Sequence, residues 1–181
     1  MKILGVSGSL RKDSFNSRLL SAGAKFLEKP AFIEIYDISR IPFYNEDVER
    51  EAKPEFVQSW LDAIKDSDAL LFASPEYNHS VPGVLKNAID WASRPGFKSV
   101  LVGKPTGILS ASMSSVGGAR AQSHLKVILA STLTPVYPAP DYLLPIAQEA
   151  FDADGRLKHE TAARRLRRYM NEFVVWASTF D

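Results

Sequence analysis

Short apolar runs alternate with longer segments of helical periodicity along most of this 181-residue chain. The run at 69–73 is continuously apolar, which is typical of a strand buried on both faces. Strands that alternate with helices of this length form right-handed crossover units, and hence a parallel sheet with helices on both faces. We therefore predict one doubly wound α/β domain, residues 1–181, with a five-stranded parallel sheet. The predicted strands are 2–6, 32–36, 69–73, 105–109 and 133–137, and the predicted helices cover about 16–27, 54–65, 82–92, 118–129 and 158–178.

Two stretches break this alternation. Residues 37–53 carry many charges and Pro42 without apolar periodicity, so we expect an irregular excursion over the surface. Residues 137–145 contain three prolines, which lack the backbone N–H that helices and sheets need. This pattern predicts a rigid connector that is neither strand nor helix.

The composition excludes several classes of protein. A net charge of +1 provides no general attraction for nucleic acid or anionic lipid, and no apolar run approaches the roughly 20 residues of a membrane-spanning helix. The absence of cysteine excludes disulfides and thiolate catalysis, and no histidine or acidic cluster has the spacing of a metal site. Because strand residues begin at once, we expect no signal peptide and a cytoplasmic location.

Three polar loops follow the first, third and fourth predicted strands, at 7–15, 74–81 and 110–117. Ligands of open parallel sheets bind at the carboxyl ends of the strands, near the point where the strand order reverses. We therefore expect the three loops to converge on one edge of the sheet and to form the ligand site there.

The first loop leads from a strand into a helix, where unpaired N–H groups and the helix dipole favour an anion. Arg11 can clamp a phosphate with its planar fork. The side chains of Ser9, Ser14 and Asn16 can add neutral hydrogen bonds, as can the backbone at Phe15. The loop has few glycines and matches neither the ATP-binding nor the dinucleotide fingerprint, which favours a terminal monophosphate. The alternative is a surface loop with an ordinary serine or asparagine cap.

The second loop is stiffened by Pro75 and Pro82. Tyr77 supplies a flat surface and Asn78 supplies both a donor and an acceptor, so this loop can border the edge of a heteroaromatic ring. The alternative is a stiff turn with Tyr77 placed in the core.

Three titratable residues need separate interpretations. Glu76, in the second loop, is a candidate general base, but a lone carboxylate beside a helix start more often caps the helix or pairs with a cation, here Lys86 or Arg94. His79, in the same loop, is a candidate substrate contact at the pocket mouth. His124 falls within a predicted helix and is expected to be structural.

The third loop is small and polar and ends in Gly117 and Gly118. Glycines let a flat ligand approach the backbone closely, although small residues also form ordinary linkers. Taken together, the three loops predict a site for a ligand with a terminal phosphate and a flat ring.

Three sequence motifs occur in order along the chain. The first motif is GSLRKDSFN at 8–16. The second joins PEYN at 75–78 to SVPGVLKNAIDW at 80–91, and the third is GGARAQSHL at 117–125. These motifs resemble the NADPH-dependent FMN reductases, a family of flavodoxin-like fold that includes quinone, azo-dye and chromate reductases. Each motif is moderately specific by itself, whereas the ordered set, covering residues 1 to about 130, is highly specific.

The resemblance implies that ten residues bind FMN. The first-loop residues would hold the phosphate, the second-loop residues would border the isoalloxazine ring, and one third-loop residue would add a flavin contact. They are Ser9, Arg11, Ser14, Phe15 and Asn16; Pro75, Glu76, Tyr77 and Asn78; and Ser112.

The resemblance also implies an activity. A hydride would pass from NADPH or NADH to the bound flavin, and then to quinones or similar small acceptors in a ping-pong sequence, with no catalytic side chain. Family members are dimers or tetramers in which the neighbouring subunit helps to wall the flavin pocket, and we expect the helix at 118–129, with Arg120, at that interface. No ribose-reading residue can be placed from the sequence, so NADH and NADPH stay open.

Two other functions fit the same motifs. A flavodoxin-type electron carrier would bind FMN without turning over a substrate, although carriers tend to be strongly acidic and this chain is near neutral. A regulatory or binding protein on the same scaffold is the third alternative, because a fold does not determine a function.

Overall fold

A computed structural model describes residues 1–180 and contains a five-stranded parallel sheet in the order β2-β1-β3-β4-β5. This order, with helices on both faces, is the flavodoxin-like arrangement, so the predicted fold class is confirmed. The strands are β1 (Lys2–Ser7), β2 (Phe32–Tyr36), β3 (Ala69–Ala73), β4 (Thr106–Ala111) and β5 (Tyr142–Leu144). The helices are α1 (Phe15–Ala24), α2 (Glu46–Glu51), α3 (Glu55–Lys65), α4 (Gly83–Ala92), α5 (Ala119–Ser131), α6 (Ala147–Ala150) and α7 (Glu160–Ala177), followed by a 3₁₀ turn at Ser178–Phe180.

Two hydrophobic cores lie on opposite faces of the sheet, because side chains alternate along each strand. On β3, Leu70 and Phe72 pack with α3 and α4, where Trp60 and Trp91 are fully buried. Leu71 points to the other face and packs with α1 and α7. Since both faces are covered, every residue of β3 is buried, as its continuous apolar run predicts.

The prediction of a fifth strand at 133–137 was wrong. The edge strand is β5, where Leu109 pairs with Tyr142, while Val136 makes only an isolated bridge to Thr106. Prolines at 135, 138 and 140 lack the backbone N–H groups that a continuous strand would need. The chain therefore pairs with β4 at Thr106, leaves the sheet, and pairs again at Leu109. The expectation of a connector without a strand at 137–145 was therefore wrong as well.

A tyrosine from α7 fills the gap that this detour leaves in the sheet edge. The backbone N–H of Ile108 donates to the hydroxyl oxygen of Tyr169 over 2.8 Å, and the Tyr169 hydroxyl donates to the Ile108 carbonyl over 3.0 Å. Both groups are buried, and one phenol completes the hydrogen bonds that a neighbouring strand would otherwise make. Burial raises the pKa of the Tyr169 hydroxyl, so it stays protonated and able to donate.

The surface excursion at 37–53 is less irregular than its composition suggests, because it contains α2. The side chain of Asn45 caps this helix by accepting from the N–H of Asp47 over 2.9 Å, and acidic residues fill its first turn. No residue of α2 is buried, so the helix leaves no apolar periodicity in the sequence. Among the described residues 1–180, no helix is both long and apolar enough to cross a membrane.

Candidate functional site

The first, second and third loops converge on one cleft at the carboxyl ends of β1, β3 and β4. This main cleft has a volume of about 420 Å³. It gathers nine of the ten predicted site residues and leaves out Asn78. The lining residues are Ser9, Arg11, Ser14, Phe15, Asn16, Pro75, Glu76, Tyr77 and Ser112, together with Ala111 and Met113, which sequence reasoning missed.

Ser14 begins α1 as an ordinary N-cap at the floor of the cleft. Its hydroxyl accepts from the N–H groups of Asn16 and Ser17, over 3.2 and 3.4 Å, and its side chain is buried. The capping alternative therefore describes Ser14 itself, while the same residue still lines the cleft.

Asn16 holds α1 against the end of β4. Its side-chain nitrogen donates to the Ala111 carbonyl over 2.9 Å, and its side-chain oxygen accepts from the Ala111 N–H over 2.9 Å. Asn16 is only 2% exposed, so both ends of its amide serve this internal contact. The predicted phosphate contact of Asn16 stays a prediction, and the structure adds a positioning role that its sequence position did not reveal.

Arg11 is the available positive charge of the main cleft. Its side chain is exposed and forms no ion pair with a carboxylate in residues 1–180. The guanidinium lies 5.0 Å from the centre of the Phe15 ring, which in turn stacks on Phe151. A cation that is supported by an aromatic face, and not neutralised by the protein, suits an incoming anion.

The second loop is a tight hairpin turn. Tyr77 and Ser80 exchange backbone hydrogen bonds of 3.1 and 3.0 Å, and the two residues between them, Asn78 and His79, have φ values of 50° and 64°. Positive φ at both central positions is the pattern of a type I′ turn, which asparagine tolerates well. The reversal carries Asn78 and His79 to the exposed tip, so neither residue lines the main cleft.

Tyr77 links the second loop to the first across the cleft. Its hydroxyl lies 3.4 Å from the Ser9 hydroxyl, and half of the side chain is exposed. The alternative that places Tyr77 in the core is therefore wrong, and its ring is available to a flat ligand.

Glu76 caps α5 and pairs with Arg120 in the first turn of that helix. One carboxylate oxygen accepts from the backbone N–H groups of Arg120 and Ala121, over 3.1 and 3.4 Å, and the other accepts from the Arg120 guanidinium over 2.8 Å. The interpretation as a cap and a cation partner is confirmed. The expected cations were wrong, because Lys86 pairs with Asp90 and Arg94 with Glu49 in the structure.

These contacts decide the protonation state of Glu76. Burial by itself raises the pKa of the carboxyl, but the hydrogen bonds from Arg120 and Ala121 and the Arg120 charge outweigh burial, and the pKa is lowered overall. An ionised carboxylate that already accepts three hydrogen bonds is a weak candidate for a general base.

α5 holds the hairpin at a second point, where the His124 ring nitrogen lies 2.9 Å from the Ser80 hydroxyl, in agreement with the structural role expected for His124.

The third loop contributes Ser112 and Met113 to the cleft. The loop is held in place because Ser112 donates its N–H to Leu144 and accepts from the N–H of Ala147, both over 3.0 Å. The following glycines serve internal packing. A Cβ on Gly118 would lie 2.8 Å from the Cβ of Ser110, and Gly118 has a φ of 89°. The expectation that these glycines admit a flat ligand is not supported by this geometry.

Within residues 1–180, no group of histidine and acidic side chains could hold a metal ion.

Comparisons with known proteins find relatives that match nearly the whole chain. A family model described as NADPH-dependent FMN reductase matches residues 1–149. An NAD(P)H-dependent FMN reductase of Pseudomonas aeruginosa is 45% identical over 178 residues, covering 97% of this chain and 95% of the relative. A 2-hydroxy-1,4-benzoquinone reductase of a Burkholderia species is 38% identical, with coverages of 97% and 96%. The solved structure of FerB, a flavoenzyme NAD(P)H:(acceptor) oxidoreductase of Paracoccus denitrificans, superposes with a TM-score of 0.91 at 37% identity, covering 99% of this chain and 98% of that one.

Proposed function

Since the chain belongs to the NADPH-dependent FMN reductase family, we propose that its main cleft holds FMN. Membership of this family makes the protein an oxidoreductase that uses FMN and NAD(P)H. In the proposed arrangement, the FMN phosphate lies at the first loop and the ring lies between the second and third loops. The observation that carries this proposal is Arg11, an unpaired cation at the mouth of a cleft that otherwise offers hydroxyls and aromatic surface. The predicted contacts of Ser9, Ser14 and Asn16 belong to the phosphate end of this arrangement.

The residues of the cleft fit this cofactor in charge and in shape. Arg11 supplies the fork that binds a phosphate, and the Ser9 hydroxyl accepts from the backbone N–H of Arg11 over 3.4 Å, within the same loop. At the other end, Pro75, Tyr77 and Ser112 form a stiff border to a flat ring, and exposed Met113 adds an apolar surface. Asn78 does not line the cleft, so its part in the proposal is limited to the hairpin turn that positions Tyr77.

Bound FMN supplies the redox chemistry, as an acceptor of hydride from reduced nicotinamide and a donor to a second substrate. The protein therefore has to bind, orient and expose. Asn16 fixes the cleft floor to β4, Glu76 fixes the second loop to α5, and Tyr77 joins that loop to the first. The proposal therefore gives these groups positioning roles, and it assigns no catalytic side chain.

We propose quinones as the acceptors and a ping-pong sequence of substrates. The quinone reductases among the relatives support the acceptor class. In the proposed arrangement nicotinamide and quinone use the same open face of the ring in the main cleft, so they bind in turn and the substrate sequence is ping-pong. The proposal extends to a cytoplasmic homodimer or homotetramer in which the exposed side of α5, with Arg120, Ser123 and Val127, meets a second subunit.

The test is to reconstitute the protein with FMN and to mix it anaerobically with NADH or NADPH in a stopped-flow instrument. Loss of the oxidised flavin absorbance within the turnover time, and its return on adding a benzoquinone, is the expected result. A flavin that stays oxidised would favour the electron carrier, and a protein that does not bind FMN would refute both. Parallel double-reciprocal plots test the ping-pong order, and light scattering tests the oligomer.

A further inference from the structure

A second cleft lies on the other side of the first loop, between the carboxyl ends of β1 and β2. It has a volume of about 280 Å³, near the lower end for small-molecule sites, and shares Ser9 and Arg11 with the main cleft. β2 lies outside the strands that form the main cleft. A ligand that reaches over the first loop can therefore occupy both clefts at once.

The lining of the second cleft combines polar and apolar surface. Asp37, the residue directly after β2, presents its carboxylate, and Ser17 and Ser39 present hydroxyls. Leu10 and Ile35 lie on its walls and are each about half exposed, at 54% and 49%. The carboxylate and the hydroxyls can hydrogen-bond to the hydroxyls of a sugar, and the aliphatic side chains can pack against a flat ring. This combination suits a ribose that carries a flat base.

Asp37 has the hydrogen-bonding capacity that a ribose needs. Its carboxylate oxygens accept from the N–H and the hydroxyl of Ser39, over 2.8 and 2.9 Å. A carboxylate offers about four acceptor positions, so two remain for the vicinal hydroxyls of a ribose. A carboxylate at the end of a second strand reads ribose hydroxyls in the same way in dinucleotide-binding sheets.

The charge of the second cleft selects against a phosphorylated ribose. Its charged lining groups are Arg11 and Asp37. If Arg11 is bound to the FMN phosphate in the main cleft, Asp37 is left as the uncompensated charge, and it repels a second phosphate. Arg40 does not compensate, because its guanidinium stacks 3.5 Å over the Phe56 ring and does not line the cleft.

We propose that the second cleft binds the adenosine ribose of the nicotinamide dinucleotide, with Asp37 accepting hydrogen bonds from the ribose hydroxyls. The enzyme therefore prefers NADH to NADPH. The inference rests on the proposed function, because it assigns Arg11 to the FMN phosphate. It names a specificity residue that the sequence motifs do not contain.

The experiment compares the FMN-loaded protein with two variants, Asp37→Asn and Asp66→Asn. Asp66 is an exposed carboxylate between the end of α3 and the amino end of β3, away from the carboxyl ends where the clefts lie, and it serves as the matched control. Calorimetric titration with ADP-ribose and with 2′-phospho-ADP-ribose measures binding without turnover. The ratio of kcat/KM for flavin reduction by NADH and NADPH is measured beside it.

The wild type and Asp66→Asn are expected to bind ADP-ribose about tenfold or more tightly than its 2′-phosphate, and Asp37→Asn is expected to lose most of this difference, with the kcat/KM ratio changing in parallel. Equal binding of the two probes by the wild type, or an unchanged preference in Asp37→Asn, overturns the inference while flavin absorbance and reduction leave the proposed function intact. A protein that retains no FMN refutes the proposed function itself, and the inference with it.

Discussion

Replacing Tyr169 by phenylalanine tests whether one phenol completes the edge of the sheet. The substitution removes one oxygen and leaves the N–H and the carbonyl of Ile108 without partners in a site that is closed to water. A buried polar group without a partner costs about 1–3 kcal/mol, and two such groups lead us to expect a loss of about 2–4 kcal/mol in the free energy of unfolding. For a chain of this size that loss lowers Tm by roughly 5–15 °C.

The assay is urea unfolding followed by circular dichroism, at one fixed FMN concentration because a bound ligand adds to stability. Tyr137→Phe is the control, since the Tyr137 hydroxyl lies 3.4 Å from the carboxylate of Glu172 near the surface, and we expect its loss to cost less than about 0.5 kcal/mol. Similar losses for the two variants, or a Tyr169→Phe loss below about 1 kcal/mol, would show that the phenol does not replace a strand.

Four further predictions concern the cleft and the pH limits of stability. Arg11→Ala should weaken FMN by about 2 kcal/mol more than riboflavin in fluorescence titrations, and an equal loss for both flavins would remove Arg11 from the phosphate site. Asn16→Asp places a carboxylate oxygen, in place of an N–H donor, against the backbone carbonyl of Ala111. The free energy of unfolding in urea should fall by about 2–3 kcal/mol, and FMN should bind more weakly. An unchanged urea midpoint would contradict the role of Asn16 in holding α1 against β4. The folded protein lowers the pKa of Glu76 below its ordinary value of 4.5, so the ionised carboxylate stabilises the fold above pH 4.5 and this contribution is lost as the pH falls through the folded pKa. Glu76→Gln should therefore lose less Tm than the wild type below pH 4.5. The same dependence of Tm on pH in both proteins would count against the α5 cap. Burial raises the pKa of Tyr142 from 10.0 to about 12, so its contribution is complete below pH 10.0 and is lost as the pH rises toward 12; Tyr142→Phe should lose less Tm over that interval than the wild type.

The loops of the site could be predicted because their chemistry is local. Hydroxyls and a guanidinium between a strand and a helix indicate an anion site in any sheet of this kind, and alternation of elements brings such loops to one edge. The alternatives for Glu76 could be stated for the same reason, since a carboxylate beside a helix start has few roles. Its partner, Arg120, lies 44 residues away and could not be chosen from the sequence.

The order of elements, the parallel sheet and the three loops that meet at its edge follow from the sequence alone, because periodicity, proline positions and residue type are local properties of the chain. Three features required the folded chain to be seen: where the fifth strand pairs, which group completes the edge of the sheet, and that Asp37 lines a second cleft together with Arg11. Tyr169 is 61 residues from Ile108 along the chain, and Asp37 and Arg11 line one cleft only because β2 pairs with β1. Contacts of this kind depend on how distant segments pack, and a single sequence records the residue types but not their pairing.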